Sequence, residues 1–270
     1  MVFEKYDGWY GYVDFSGGFY TPVSSRAKRH IPAMAHFAEH VVNSSKVDKL
    51  SGRLVFEILL EGVTDFPTLN GVLNRKKEQA PGAYIMCHDL IFTGNKDKEF
   101  IDRYADLRKY FEPTRYVRIA NPLSSNKKFN SWAPVCNLQE SRKLCEDVWR
   151  RGGEGVILKR ADAPYSPGKR NADLMKIKEE IALDLLVTGL IEGDGKYRGT
   201  LGAMLVQDKA GRQYQVSGMT DEQRYQWWTN PDYIKGKVVE VKAMKRLKDG
   251  SLREPRFKAV RHDKTAQDID

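Results

Sequence analysis

Cysteine is scarce: Cys87, Cys136 and Cys145 are the three in 270 residues, and no two stand in a Cys-x-x-Cys spacing. Neither a cysteine zinc module nor a disulfide framework is therefore indicated, and a reducing cytosol is implied. Long apolar runs and basic amphipathic helices are missing too, which sets a membrane aside as partner. There are no internal repeats and no low-complexity tracts, so the chain is not a solenoid, and only residues 265–270 read as a disordered tail. No secretory signal is expected, because chemistry-bearing sequence starts within five residues of Met1.

What the chain has in excess is positive charge. Lysine and arginine number 45 against 36 aspartates and glutamates, a net charge of +9 with a pI near 9.3. Such a balance suits a polyanionic partner, nucleic acid foremost. The length allows one large or two modest domains, and a change of pattern favours two. Residues 1–181 read as short strands interrupted by helices over 32–42, 66–79, 98–110 and 138–151, with a turn-rich loop at 164–169. Residues 182–270 read as compact β-structure, with strands over 183–190, 202–207, 213–216, 237–243 and 256–260. One helix, residues 221–228, interrupts them, with Thr220 or Asp221 as its cap. Five strands with an inserted helix suit an OB barrel.

Lys5-Tyr6-Asp7-Gly8 follows an apolar opening, and alternation along a strand would put Lys5 and Asp7 on one face. Gly8 permits a backbone too close or too twisted for a Cβ. Taken alone, the tetrapeptide reads more readily as a surface hairpin with a solvated lysine. Four later segments repeat the theme of isolated charge in an apolar strand: 53–60 with Glu57, 84–92 with His88 and Asp89, 153–159 with Glu154, and 174–178 with Lys176 and Lys178. Charged groups are seldom buried without partners, so these predict a cleft where opposite charges meet. Lys176 and Lys178, two apart, share a strand face suited to a polyphosphate.

In this order the segments resemble the nucleotidyltransferase motifs of ATP-dependent DNA ligases, whose first motif is Lys-x-Asp-Gly-x-Arg. Asp249 to Phe257, containing Arg253-Glu254-Pro255-Arg256-Phe257, and then Arg261-His262-Asp263-Lys264 resemble the last motif. Ser25-Arg26-Ala27-Lys28 and Ile31-Pro32-Ala33-Met34 are similar to the segment after the first motif in ligases of T-odd bacteriophages. The resemblance runs from Phe3 to Lys264.

It implies an α+β architecture: an adenylation domain of antiparallel sheets with flanking helices over residues 1–181, then an OB-fold β-barrel over 182–270. It implies nick sealing in duplex DNA through lysyl-AMP, with ATP and Mg2+ (or Mn2+) as cofactors. It also implies a monomer in a bacterial or phage-infected cytoplasm. NAD-dependent relatives carry an upstream domain and a zinc module for which the chain has no room, so ATP is the expected nucleotide. Lys5 matches the nucleophile. Lys176 and Lys178 would hold the α-phosphate, Glu154 and Asp7 the metal, Glu57 the ribose, and Arg26 the ribose or nick phosphate. Arg253 and Lys264, assisted by Arg261, would orient the departing pyrophosphate.

Four departures qualify the match. Tyr10 replaces the arginine five residues after Lys5. Phe3 replaces a glutamate that reads adenine; Glu4 beside it is counted with the nucleotide-binding candidates, although a one-residue shift reverses a strand side chain, so adenine selection falls to main-chain groups. The family's Asp-Gly-Glu is Val55-Phe56-Glu57, and its aromatic adenine stacker is His88. An RNA ligase, an mRNA-capping guanylyltransferase and an inactive nucleic-acid-binding module remain the alternatives.

Overall fold

A computed structural model describes residues 1–25, 28–47, 49–76, 79–123, 137–168, 172–247 and 249–270. Arg26, expected at the ribose or nick phosphate, lies outside the described residues. The chain divides into two units, Met1–Ile177 and Lys178–Asp270.

In the first unit, β1 (Val2–Glu4) ends before Lys5, so the expected strand through Lys5 and Asp7 is shorter than alternation suggested. Lys5 to Gly8 instead form the link to β2 (Trp9–Ser16). Gly8 is required there, because a Cβ would stand 2.7 Å from the Ile58 carbonyl oxygen. Short strands β3 (Phe19–Tyr20) and β4 (Ser24–Ser25) both pair with β2. The helix expected over 32–42 is a single 3-10 turn, Pro32–Met34, followed by α1 (Phe37–Asn43).

β5 (Ser51–Leu60) lies between β2 and β6 (Ala83–Phe92), antiparallel to both. Between them in sequence, α2 (Phe66–Leu73) is capped by the Asp65 side chain and ends at Asn74, short of the expected 79. After β6, α3 (Phe100–Tyr110) is the crossover that lets β7 (Val117–Ile119) run parallel to β6, the exception in an otherwise antiparallel sheet. On α3, Phe100, Arg103, Tyr104 and Leu107 share the buried face at helical spacing. The core between this sheet and its helices includes Leu54, Phe56, Ile58, Phe37 and Leu107. Each such side chain contributes about 1.5–3 kcal/mol by leaving water.

A smaller sheet has the order β1, β8 (Gly155–Lys159), β9 (Leu174–Lys178). It packs Val2 and Val156 against Cys145 and Val148 of α4 (Leu138–Arg150), which starts at an Asn137–Glu140 capping box.

The second unit is a five-stranded sheet ordered β12 (Gln213–Val216), β11 (Leu201–Gln207), β10 (Ile181–Glu192), β13 (Val238–Ala243), β16 (Arg256–Val260). β14 (Lys245–Arg246) and β15 (Leu252–Arg253) form a separate ribbon. The inserted helix, α5 (Asp221–Thr229), begins at a capping box made by Thr220 and Gln223, which settles the cap on Thr220. The arrangement is that of an OB domain, yet among the described residues no ladder closes the barrel from β12 to β16. A single bridge between Ser217 and Arg256 joins those edges. Trp227 meets Phe257 edge-on at 5.4 Å inside a core of Leu185, Met204, Val216 and Val241.

The tail differs from the expected disorder. The Asp184 amide donates to Asp270 Oδ2 at 2.6 Å, and the Asp270 amide donates to the Asp184 carbonyl at 3.0 Å. Residues 265–270 are therefore tied back onto β10, a pairing between positions 86 apart that no local pattern announces.

Candidate active site

Lys5 emerges from the end of β1, and its amide donates to the Gly155 carbonyl at 2.9 Å, which locks the start of the β1–β2 link to β8. Its amine is ion-paired with Glu154, with only 14% of the lysine and 6% of the glutamate side chain exposed. α4 delivers Glu154: the helix ends in a turn at Gly152, whose φ of 81° suits glycine, and Trp149 Nε1 donates to the Glu154 carbonyl at 3.3 Å. Asp7 sits two residues beyond Lys5 in the same link. Among the described residues no cluster of three metal-ligating side chains occurs. A magnesium site needs only one or two protein carboxylates, so this does not conflict with Glu154 and Asp7.

Phe3 and Glu4 face apart, as a one-residue shift demands. Phe3 is buried, with ring centroids 5.9 Å from Phe100 and 5.5 Å from Tyr104. Glu4 lies within 3.5 Å of the Arg151 guanidinium at the end of α4. Just past Lys5, the Tyr6 hydroxyl is pushed up to about 12 by burial, with the Glu4 charge adding to the effect.

Glu57 is at the middle of β5, directly opposite Tyr10 on β2 and Met86 on β6, so the three side chains share one face. Tyr10, where the family's arginine would stand, is thereby a neighbour of Glu57. His88 is the extra residue of a β-bulge: Phe56 pairs with Cys87 and Val55 with Asp89, leaving His88 without a partner across the ladder.

Behind His88 lies a residue that the sequence reading passed over. Lys159, the last residue of β8, is buried, and its Nζ stands 3.1 Å from the His88 carbonyl and 3.4 Å from His88 Nδ1. It lies 4.4 Å from the Phe100 ring centroid. Burial lowers the Lys159 amine to about 8, opposed by Asp89, assisted by Arg103 and opposed by Glu57. Asp89 is itself clasped by Arg103 through two hydrogen bonds of 3.1 and 3.2 Å. The signal for Lys159 was a charge at the far end of the same apolar strand that Glu154 precedes.

His88 is held well below the usual imidazole range, first by burial and then by the charges of Lys159 and Lys176. The folded residue stays neutral where an unfolded one takes a proton, so its contribution to stability is full above pH 6.5 and declines below it. Melting temperatures followed from about pH 7.5 to 5.5 should fall less for His88→Phe than for the wild type. Equal falls would remove His88 as a source of acid sensitivity.

β9 places Lys176 and Lys178 on one face, with Lys178 the first residue of the second unit and its amine 3.7 Å from Met244 Sδ. In the second unit, Arg253 pairs with Lys245 on the β14–β15 ribbon. Arg261 and Lys264 gather elsewhere, around Asp184 of β10: Arg261 Nη1 reaches both carboxylate oxygens at 3.1 Å, and Lys264 is ion-paired to one of them. Arg261 also holds Asp263, whose carboxyl is lowered to about 2 by the guanidinium hydrogen bond. The structure thus brings together Lys5 with Glu154, His88 with Lys159, and Arg261 and Lys264 with Asp184.

A lysine paired with a glutamate beside two antiparallel-rich sheets, followed by a five-stranded OB unit, defines a nucleotidyltransferase domain joined to an OB-fold domain. The ATP dependent DNA ligase domain model matches residues 2–178 and the DNA ligase OB-like domain model matches residues 192–261. The chain belongs to the ATP-dependent DNA ligase family. A DNA ligase of Natronomonas pharaonis is 33% identical over 148 residues, 46% of this chain and 27% of the relative. One of Thermococcus onnurineus is 28% identical over 200 residues, 64% of this chain and 34% of the relative. The chain thus spans about a third or less of the length of these curated relatives. Among solved structures, a Lig E DNA ligase matches with a TM-score of 0.73 at 22% identity, over 96% of this chain and 91% of that one. Chlorella virus DNA ligase-adenylate matches with a TM-score of 0.51 at 20% identity, over 97% of this chain and 92% of that one. These likenesses concern the fold. Among the described residues, no helix is long and apolar enough to cross a membrane.

Proposed function

We propose that the chain seals nicks in duplex DNA, as a monomer, using ATP. The observation that carries this reading is the ion pair of Lys5 and Glu154, because it holds a largely buried amine at the position of the family's nucleophile against a carboxylate. Lys5 Nζ would attack the α-phosphorus of ATP: a nitrogen–phosphorus bond forms, the bond to the bridging oxygen breaks, and pyrophosphate leaves. The AMP then passes to the 5′-phosphate at a nick, and the 3′-hydroxyl displaces it. Glu154 and Asp7 are the carboxylates suited to magnesium, which would neutralise phosphate charge and favour the neutral amine.

The other residues act by binding and orientation, which dominate phosphoryl transfer. Lys176 and Lys178 hold the α-phosphate from one strand face. Glu57 accepts from a ribose hydroxyl. His88 stacks on adenine in place of an aromatic ring, while Glu4, engaged by Arg151, leaves base reading to main-chain groups. Arg253, Arg261 and Lys264 serve the departing pyrophosphate.

Incubation with α-labelled ATP or GTP and magnesium separates the readings. Label retained from ATP supports a ligase, label from GTP a capping enzyme, and neither an inactive binding module. Sealing of nicked DNA but not nicked RNA then excludes an RNA ligase.

DNA contact would draw on the net charge of +9. A cavity of about 830 Å³ lined by Trp9, Tyr10, Arg29, Phe66 and Lys76 offers aromatic faces and cations together. Nick binding should therefore weaken linearly on a log–log salt plot, by a slope of about −0.9 per phosphate neutralised, while self-adenylylation changes little. Binding that is flat from low to physiological salt would contradict this and point to stacking or a protein partner.

A further inference from the structure

We infer that Lys159 is a positioning residue for the nucleotide base: it fixes the bulged His88 as a neutral ring with its proton on Nε2, and so sets the orientation in which His88 meets adenine. The inference rests on the reading of His88 as the base stacker.

An ammonium group has donors only. Lys159 Nζ, 3.4 Å from His88 Nδ1, can engage that nitrogen only as an acceptor, which leaves the ring proton on Nε2. The same amine holds the His88 carbonyl at 3.1 Å. Both contacts fall on the one residue in this part of β6 that has no partner across the ladder, so Lys159 supplies from β8 the fixation that the β5–β6 pairing omits. Lys159 is itself fixed by packing, 4.4 Å from the Phe100 ring centroid and 5.7 Å from that of Phe3.

The charges around the pair favour a neutral ring. From β9, Lys176 adds its field to that of Lys159 in keeping the imidazole neutral. Asp89 on β6 and Glu57 on β5 keep Lys159 protonated, against burial and the Arg103 charge from α3. A relative with an aromatic hydrocarbon ring at this position has no tautomer to set. Here the ring presents a directed N–H as well as a π face, and its direction depends on Lys159.

Nitrogen-resolved NMR of histidine-labelled protein reads the tautomer directly, with His88 assigned by the signal lost in His88→Phe. The wild type should show Nε2–H with Nδ1 as acceptor, and Lys159→Met should lose that preference. A wild-type Nδ1–H tautomer would overturn the inference with no variant involved. In self-adenylylation, Lys159→Met should raise KM for ATP about tenfold, the worth of a hydrogen bond to a charged group. In a His88→Phe background the same change should alter KM by less than about twofold, the limit of additivity for uncoupled sites. An equal tenfold rise in both backgrounds would show that Lys159 acts through something other than His88. The stacking reading has its own test: an unchanged KM for ATP in His88→Ala would sink it and leave the tautomer result standing.

Discussion

Lys5→Ala should capture no label from α-labelled ATP, and Lys5→Arg should capture none either, while the two differ in stability. Alanine deprives Glu154, 6% exposed at its side chain, of the cation it holds, at a cost of about 1–3 kcal/mol. Arginine keeps a cation there but is protonated at every usable pH, so it restores the ion pair without restoring the nucleophile. Thermal melts should therefore rank the wild type and Lys5→Arg close together and Lys5→Ala lower. Trapped AMP on either variant would remove Lys5 as the nucleophile. Equal stability of all three would show that the Glu154 contact contributes nothing measurable to the fold.

The largest loss of stability is expected in the second unit, from Asp208→Ala. This carboxylate, 1% exposed, accepts from the amides of Ala210 and Arg212 at 3.0 and 2.9 Å, from Arg212 Nε at 2.8 Å and from the Tyr214 hydroxyl at 2.7 Å. Arg246 reaches it as well, at 3.4 Å. Burial pushes its pKa up, but the hydrogen bonds from Tyr214 and Arg212 outweigh burial and bring it down to about 2. Removing the hub leaves several donors around an empty centre, worth about 3–5 kcal/mol by analogy with broken buried pairs. Denaturant unfolding followed through Trp227 and Trp228 would measure it. The pH dependence has a definite sign: the folded carboxyl binds its proton more weakly than an ordinary aspartate with a pKa of 3.8, so its stabilisation is complete above that pH and is lost as pH falls towards 2. A variant as stable as the wild type at neutral pH, or with the same acid profile, would contradict this account.

Short-range chemistry was legible in the sequence where it reported on the backbone. Gly8 announced a close approach, and the Ile58 carbonyl is what approaches. Thr220 was one of two caps offered for the helix over 221–228, and the helix starts there with a Thr220–Gln223 capping box. Lys5 and Glu154 were both singled out, one as nucleophile and the other as metal ligand, but their direct pairing over 149 positions is announced by no local pattern. The misses share a cause. Alternation predicted a strand through Lys5, whereas β1 pairs with β8 only over three residues. The helix expected to reach residue 79 stops at Asn74: residues 74–79 are all polar, so none of them extends the buried face that Leu69 and Leu73 supply. The bulge at His88 depends on the register of two separate strands, and so does the approach of Lys159; neither strand alone carries that information. The tail was read as disordered from its composition, whereas its order comes from hydrogen bonds to a strand far away in sequence.

Asp184 adds a constraint on the last motif. Arg261 and Lys264 share this one carboxylate, which is 10% exposed, so neither is a spare cation awaiting phosphate. Service to a leaving pyrophosphate then requires a swap of anions, in which Asp184 must be bettered before it is released. A weak or singly charged anion would lose that contest, whereas a multiply charged one can win it. Under the proposed function the carboxylate would work as a threshold: it would keep two strong cations from binding anions indiscriminately, and would make their recruitment depend on how much negative charge the competitor brings.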